Sequence, residues 1–195
     1  MPHQTHRRQG PRSVLLGALI GLGAAITALL VAAVVIVNAP VSFGSTAIRQ
    51  VQMATVNQLT AQQIEHARLI IAVGRGGGFD DQAIRIALMT ALQESSLRNL
   101  EHGDRDSVGL FQQRPSQGWG EPGELTDPVF ATKSFYGINP EVENPGLDQI
   151  EGWQSMTETE AAQAVQRSAL PDAYQQWKDL AQDLINSQDD VEAMH

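Results

Sequence analysis

From Val14 to Val37 the chain runs for 24 residues without a charged side chain. As a helix rising 1.5 Å per residue, that run would reach about 36 Å, enough to cross a bilayer's hydrocarbon core with some tilt. Arg7, Arg8 and Arg12 precede it, and no Lys or Arg follows until Arg49. Positive residues stay on the cytoplasmic side. Residues 1–13 are therefore expected to form a short basic cytoplasmic tail and residues 14–37 a single-pass anchor in the cell membrane. Everything beyond is then extracytoplasmic. A cleaved signal peptide is the alternative, with Val37-Asn38-Ala39 half-fitting a cleavage site. Its apolar stretch would normally span only about 7 to 15 residues, and Pro40 would sit directly after the cut. Length favours the anchor, and both readings export the rest of the chain.

Residues 38–59 mix small and polar side chains and read as a tether. Residues 60–187 fit one domain by length, and residues 188–195 form an acidic tail. All 22 acidic residues lie beyond position 64, against ten Lys and Arg beyond the anchor, for a formal charge of −12. Such a surface disfavours nucleic acid and anionic lipid as partners. It also gives no electrostatic help in approaching an anionic wall. The chain has no Cys, which removes disulfides, thiolate metal sites and thiol nucleophiles.

Apolar residues recur at helical spacing through most of the domain, predicting a mainly α fold. Thr60 and Gln63 make a capping box opening a helix to about Val73, stopped by the glycine run Gly74 to Gly78. That run lacks the Gly-Lys-Ser/Thr ending of a phosphate loop. Asp80 or Asp81 caps a second helix to about Ser95. Its stripe of Ile84, Leu88, Ala91 and Leu92, widened by Ile86 and Met89, suits a central buried helix. Leu97 to Val108 is a polar loop or short hairpin. Asp127-Pro128 starts a short helix to Tyr136, and Gly137 to Gly152 reads as an exposed loop. Thr157 and Glu160 box another helix to about Ser168. Pro171 begins the last one, whose Tyr174, Trp177, Ala181 and Leu184 read as core packing. Asp189 onward is expected to fray.

Glu94 falls at the end of the central helix. There the negative end of the helix dipole and packed side chains both disfavour its ionised form. A carboxyl group that keeps its proton near neutral pH can act as a general acid on a glycosidic oxygen. Gln112, Gln113 and Trp119 lie in an amide-rich segment. Amides can hydrogen-bond sugar hydroxyls, and an indole can stack on a sugar ring. Glu101, Asp104 and Asp106 are candidates for the second carboxylate of a conventional glycosidase. Asp104-x-Asp106 lacks the remaining ligands of a calcium loop. His66, His102 and His195 share no metal-binding spacing, so no metal or cofactor is expected.

The pairing of Glu94-Ser95 with Gly109-Leu110-Phe111-Gln112 resembles the lysozyme-like superfamily, in particular bacterial lytic transglycosylases and related muramidases. The resemblance extends from Thr60 to about Ile185. A further family segment, Ala-Tyr-Asn-Ala-Gly followed by a Tyr, has its nearest match at Ala164-Val165-Gln166-Arg167-Ser168 with Tyr174 downstream; only the first Ala fits. The resemblance implies a lysozyme-like fold acting on peptidoglycan glycan strands, with Glu94 as the single acid and base. It also implies that Ser95 orients the acid and that Gln112 holds substrate. The alternative is an inactive glycan-binding or scaffold module of a cell-envelope assembly.

Overall fold

The computed structural model describes residues 56–168 and 171–195. The expected cytoplasmic tail, the anchor and nearly all of the tether lie outside the described residues. Among the described residues no helix is long and apolar enough to cross a membrane.

The described chain is mainly α-helical. Six α-helices follow in order: α1 Ala61–Gly76, α2 Asp81–Ser95, α3 Pro122–Leu125, α4 Pro128–Tyr136, α5 Glu158–Gln166 and α6 Lys178–Ser187. Four short 3-10 segments lie between them, at Pro115–Gln117, Leu147–Gln149, Trp153–Ser155 and Pro171–Trp177. Extended pairing is confined, among the described residues, to two antiparallel bridges, Leu100 with Gly109 and Val108 with Gln113. They close the polar loop after α2 into a tight double turn.

The helix starts follow the local chemistry. Thr60 and Gln63 form the reciprocal capping box of α1, Asp80 accepts from Ala83 N–H at 3.0 Å to cap α2, and Thr157 with Glu160 boxes α5. Each satisfies amide groups that a helix start leaves without partners. Asp127 caps α4 through Val129 N–H at 2.8 Å, with Pro128 in the first turn.

The ends depart more from expectation. Helix α1 runs through Gly74 and Gly76 before stopping at Gly77. Gly74 is needed for closeness: a Cβ there would stand 2.6 Å from the Tyr136 hydroxyl and 2.8 Å from Ile84 Cγ1. Helix α5 ends at Gln166 because Arg167 turns left-handed at φ 51°. The last helical stretch divides into the 3-10 segment Pro171–Trp177 and helix α6. The acidic tail does not fray as composition suggested. Asp190 takes both Arg68 terminal nitrogens at 2.9 Å, Met194 N–H donates to Ala72 O at 2.9 Å, and Val191 is buried.

Helix α2 is the centre of the domain. Ten of its fifteen residues are buried, and it packs against α1, α4, α5, α6 and the 3-10 segment before α6. A helix so enclosed holds its C-terminal end in a fixed position. The side chain presented there is Glu94.

Candidate functional site

Beyond Ser95 the backbone leaves helix α2 through two consecutive left-handed residues, Ser96 at φ 54° and Leu97 at φ 57°. Neither is glycine, so the turn carries strain that the surrounding packing must hold. Leu97 is fully buried, and His66 Nδ1 lies 2.7 Å from its carbonyl. Gln63 Nε2 donates to the Ser96 carbonyl at 2.7 Å. Two side chains of α1 thus tie down the exit from α2.

A cleft of about 630 Å³ opens beside this end of the helix. Glu94 forms part of its wall, facing the Gln112–Arg114 strip, Trp119, Asn144 and the segment Val165 to Ser168. Glu94 is half-buried, and burial pushes its carboxyl above the ordinary carboxylate range. The Tyr174 hydroxyl donates to Glu94 Oε1 at 2.8 Å and acts in the opposite sense, favouring the ionised form. Burial is the larger effect. Tyr174 is itself fully buried, and its phenol is pushed well above the usual range by that burial and by the neighbouring carboxyl. It therefore remains a hydrogen-bond donor at any working pH.

Ser95 lies elsewhere than expected. It is buried, its hydroxyl donates to Leu110 O at 2.7 Å with Ala91 O at 3.1 Å, and it accepts from Arg98 N–H at 3.2 Å. These bonds lock the Gly109–Gln112 turn onto the end of α2, so Ser95 sets the position of the cleft floor and does not hold the Glu94 carboxyl. Gly109 within that turn has φ 81°, and a Cβ there would lie 2.1 Å from the Leu125 carbonyl. Glycine alone fits.

Gln112 reaches the cleft but is already engaged: its oxygen accepts from the Ser107 hydroxyl at 2.9 Å, and its amide nitrogen faces Gly109 O at 3.3 Å. Gln113 is different. It is almost fully buried, its nitrogen donates to Ala131 O at 3.3 Å, and its oxygen has no hydrogen-bond partner among the described residues. A buried acceptor left in that state costs free energy unless a donor arrives. Trp119 is both buried and cleft-lining, so it serves core and wall together.

The three candidate second carboxylates separate clearly. Glu101 is exposed and away from the cleft wall, whereas Asp104 is exposed and on it. Asp106 braces the loop: it pairs with Arg114 at 2.8 Å and accepts from Ser116 N–H at 2.7 Å. The bonds from Ser116 and Arg114 hold its carboxyl far below the usual range, so it has no proton to give. No group of three or more metal-ligating side chains occurs among the described residues.

Tyr174 is the residue that periodicity assigned to the core and that the structure places on the acid. The available signal was chemical. A buried tyrosine needs a partner for its hydroxyl. The segment Ala164 to Ser168 matched its family counterpart poorly, yet Val165, Gln166, Arg167 and Ser168 all line the cleft. Gln166 Nε2 donates to Phe111 O at 2.8 Å and so joins this segment to the Gly-Leu-Phe-Gln turn. Compared with known proteins, the chain matches no protein-family model and no curated sequence.

Proposed function

We propose that this chain is a membrane-anchored, extracytoplasmic enzyme of lysozyme-like fold that cleaves the glycan strands of peptidoglycan, with Glu94 as its single acid and base. One observation carries the reading. A carboxyl group whose protonated form is favoured by burial sits on the wall of an open cleft, fixed through one oxygen by a tyrosine hydroxyl. The cleft also offers the indole of Trp119 and the side chains of Gln117 and Asn144, a lining suited to hydroxyls, acetamido groups and ring faces. The anchor at residues 14–37 would hold this domain beside the wall.

In this mechanism the proton of the Glu94 carboxyl passes to the glycosidic oxygen as the bond from that oxygen to the anomeric carbon breaks. The substrate's own acetamido oxygen stabilises the anomeric centre, an accepted departure from the two-carboxylate scheme. Glu94, now ionised, takes the proton of the sugar's 6-hydroxyl, whose oxygen closes on the anomeric carbon to give an anhydro ring. Tyr174 stabilises Glu94 during the interval when it carries charge. If the product is hydrolytic, Asp104, the other acid lining the cleft, is the candidate to activate water.

The test is digestion of purified peptidoglycan by the full-length chain beside its Glu94→Gln variant, read by mass spectrometry. Anhydro products from the wild type alone are expected. Reducing-end products would move the chemistry to hydrolysis with Asp104. No products from a folded wild type would overturn the enzyme reading, and glycan binding would then have to be measured on its own. An apolar Val165 at the position where the family carries a tyrosine is what keeps the binding module as the second reading.

A further inference from the structure

The glycan reading leaves open which sugar the cleft prefers, and the charge distribution bears on that. The exported part of the chain is strongly acidic, yet three arginines line this one cleft: Arg105, Arg114 and Arg167. The acids on the same wall are only Glu94, whose neutral form burial favours, and Asp104. Arg114 is committed to Asp106. Arg105 lies 3.8 Å from Asp104 with both side chains largely in solvent, a contact that holds the guanidinium only weakly. Arg167 has no carboxylate partner among the described residues and is exposed.

The backbone adds an independent observation. Among the described residues five non-glycine positions have positive φ, and Arg105, Gln112 and Arg167 are three of them. All three line the cleft. Arg167 occupies the position after α5 where glycine or asparagine would turn the chain with least strain. Strained backbone positions collected at one site mark a place where the position of the side chain matters more than backbone comfort.

We infer, resting on the glycan reading, that Arg167, assisted by Arg105, binds a carboxylate carried on a sugar ring, so that the cleft prefers glycan bearing free lactyl carboxyl groups to a neutral amino-sugar polymer. Guanidinium and carboxylate pair through two parallel hydrogen bonds. A lactyl carboxyl is free only where its amide bond to a peptide has been hydrolysed, so amide hydrolysis is the class of reaction that supplies the preferred substrate.

Binding of oligosaccharides of equal length to the full-length chain in detergent tests this. The probes are a neutral amino-sugar oligomer, one with free lactyl carboxylates, the same oligomer with its carboxyls reduced to alcohols, and one with peptides attached. The carboxylate form is expected to bind about tenfold tighter than the neutral and reduced forms, as one charge-assisted contact would give. That gap should shrink with added salt. Arg167→Gln should abolish the preference, and so should Arg167→Gly, which relieves the left-handed strain and thereby guards against misfolding. Equal binding of carboxylate and neutral forms would overturn the inference and leave the glycan reading standing. Equal binding of peptide-bearing and free-carboxylate forms would overturn the assignment to the sugar's own carboxylate. No binding of any oligomer would overturn both.

Discussion

Replacing Ser95 by alanine separates two roles that look alike in sequence. If the hydroxyl oriented the Glu94 carboxyl, its loss would strike activity and leave stability nearly untouched. The geometry assigns it the opposite role. The hydroxyl's shortest bond, 2.7 Å, runs to the Leu110 carbonyl, and the side chain is buried. Alanine would leave that carbonyl without its donor inside the protein, at a cost of about 1–3 kcal/mol. The Arg98 N–H, which Ser95 also receives, keeps a backbone alternative at Ser95 O, 3.1 Å away, so it adds little. Alanine's better helix propensity returns up to about 0.5 kcal/mol. The net loss is about 0.5–3 kcal/mol, which for a domain of this size lowers the melting temperature by roughly 2–12 °C.

Denaturant titration of the Ser95→Ala variant should therefore show an earlier midpoint with an unchanged slope, since the surface exposed on unfolding is the same. Cleavage per folded molecule should fall by less than about tenfold, because the Gly109–Gln112 turn loosens while Glu94 and Tyr174 stay paired. A loss of about a hundredfold in cleavage with no change in the unfolding midpoint would refute this account. It would mean that the hydroxyl acts on the carboxyl or the substrate directly.

Two further outcomes follow from the Glu94–Tyr174 pair. Because burial raises the Glu94 pKa in the folded state, the folded protein holds that proton more tightly than the unfolded chain does. Its contribution to stability is then full below the ordinary carboxylate value and is lost as pH rises through the folded value. Glu94→Gln does not titrate, so its stability should gain on the wild type as pH climbs from 4 to 8, measured by denaturation at each pH. A gap independent of pH would remove burial as the cause. Tyr174→Phe deletes the donor that favours the ionised carboxylate, so the limb of the pH–rate profile set by Glu94 should move to higher pH. Movement to lower pH would show that the hydroxyl acts on the protonated form instead.

Much of the fold could be read from local chemistry because helix starts are decided within four residues. Thr60 with Gln63, the pair Asp80 and Asp81 (of which Asp80 is the cap), Asp127 with Pro128, and Thr157 with Glu160 each announced a boundary that the structure keeps. The ends were harder to read. The glycine at position 74 looked like a stop, yet it continues α1 because Tyr136, 62 positions along the chain, packs where a Cβ would be. Arg167 ends α5 in a conformation that favours glycine, and no propensity would have placed the boundary there. The tail after Asp189 reads as polar and free, and it is held by Arg68 and the carbonyl of Ala72 on α1. Gly74 and the tail each involve a contact across a long stretch of chain, and window-based periodicity does not see such contacts.

The candidate site divides along the same line. Glu94 was visible because its own helix makes it buried and terminal. The two residues that act on it or beside it were not. Tyr174 shares a helical stripe with Leu184 and Ala181, so its spacing says core, and its burial agrees. Only the hydroxyl distinguishes it from phenylalanine, and that hydroxyl finds its partner 80 positions earlier. Ser95 adjoins Glu94 in sequence, which suggests a partnership. In a helix, though, adjacent residues point about 100° apart, so the neighbour of an acid on the cleft wall faces inward. Geometry therefore gives the acid a distant tyrosine and gives its neighbour a structural role. For the same reason the arginines of the cleft come from two separate loops, and a net charge counted along the chain could not reveal that three of them line one cleft in an acidic domain.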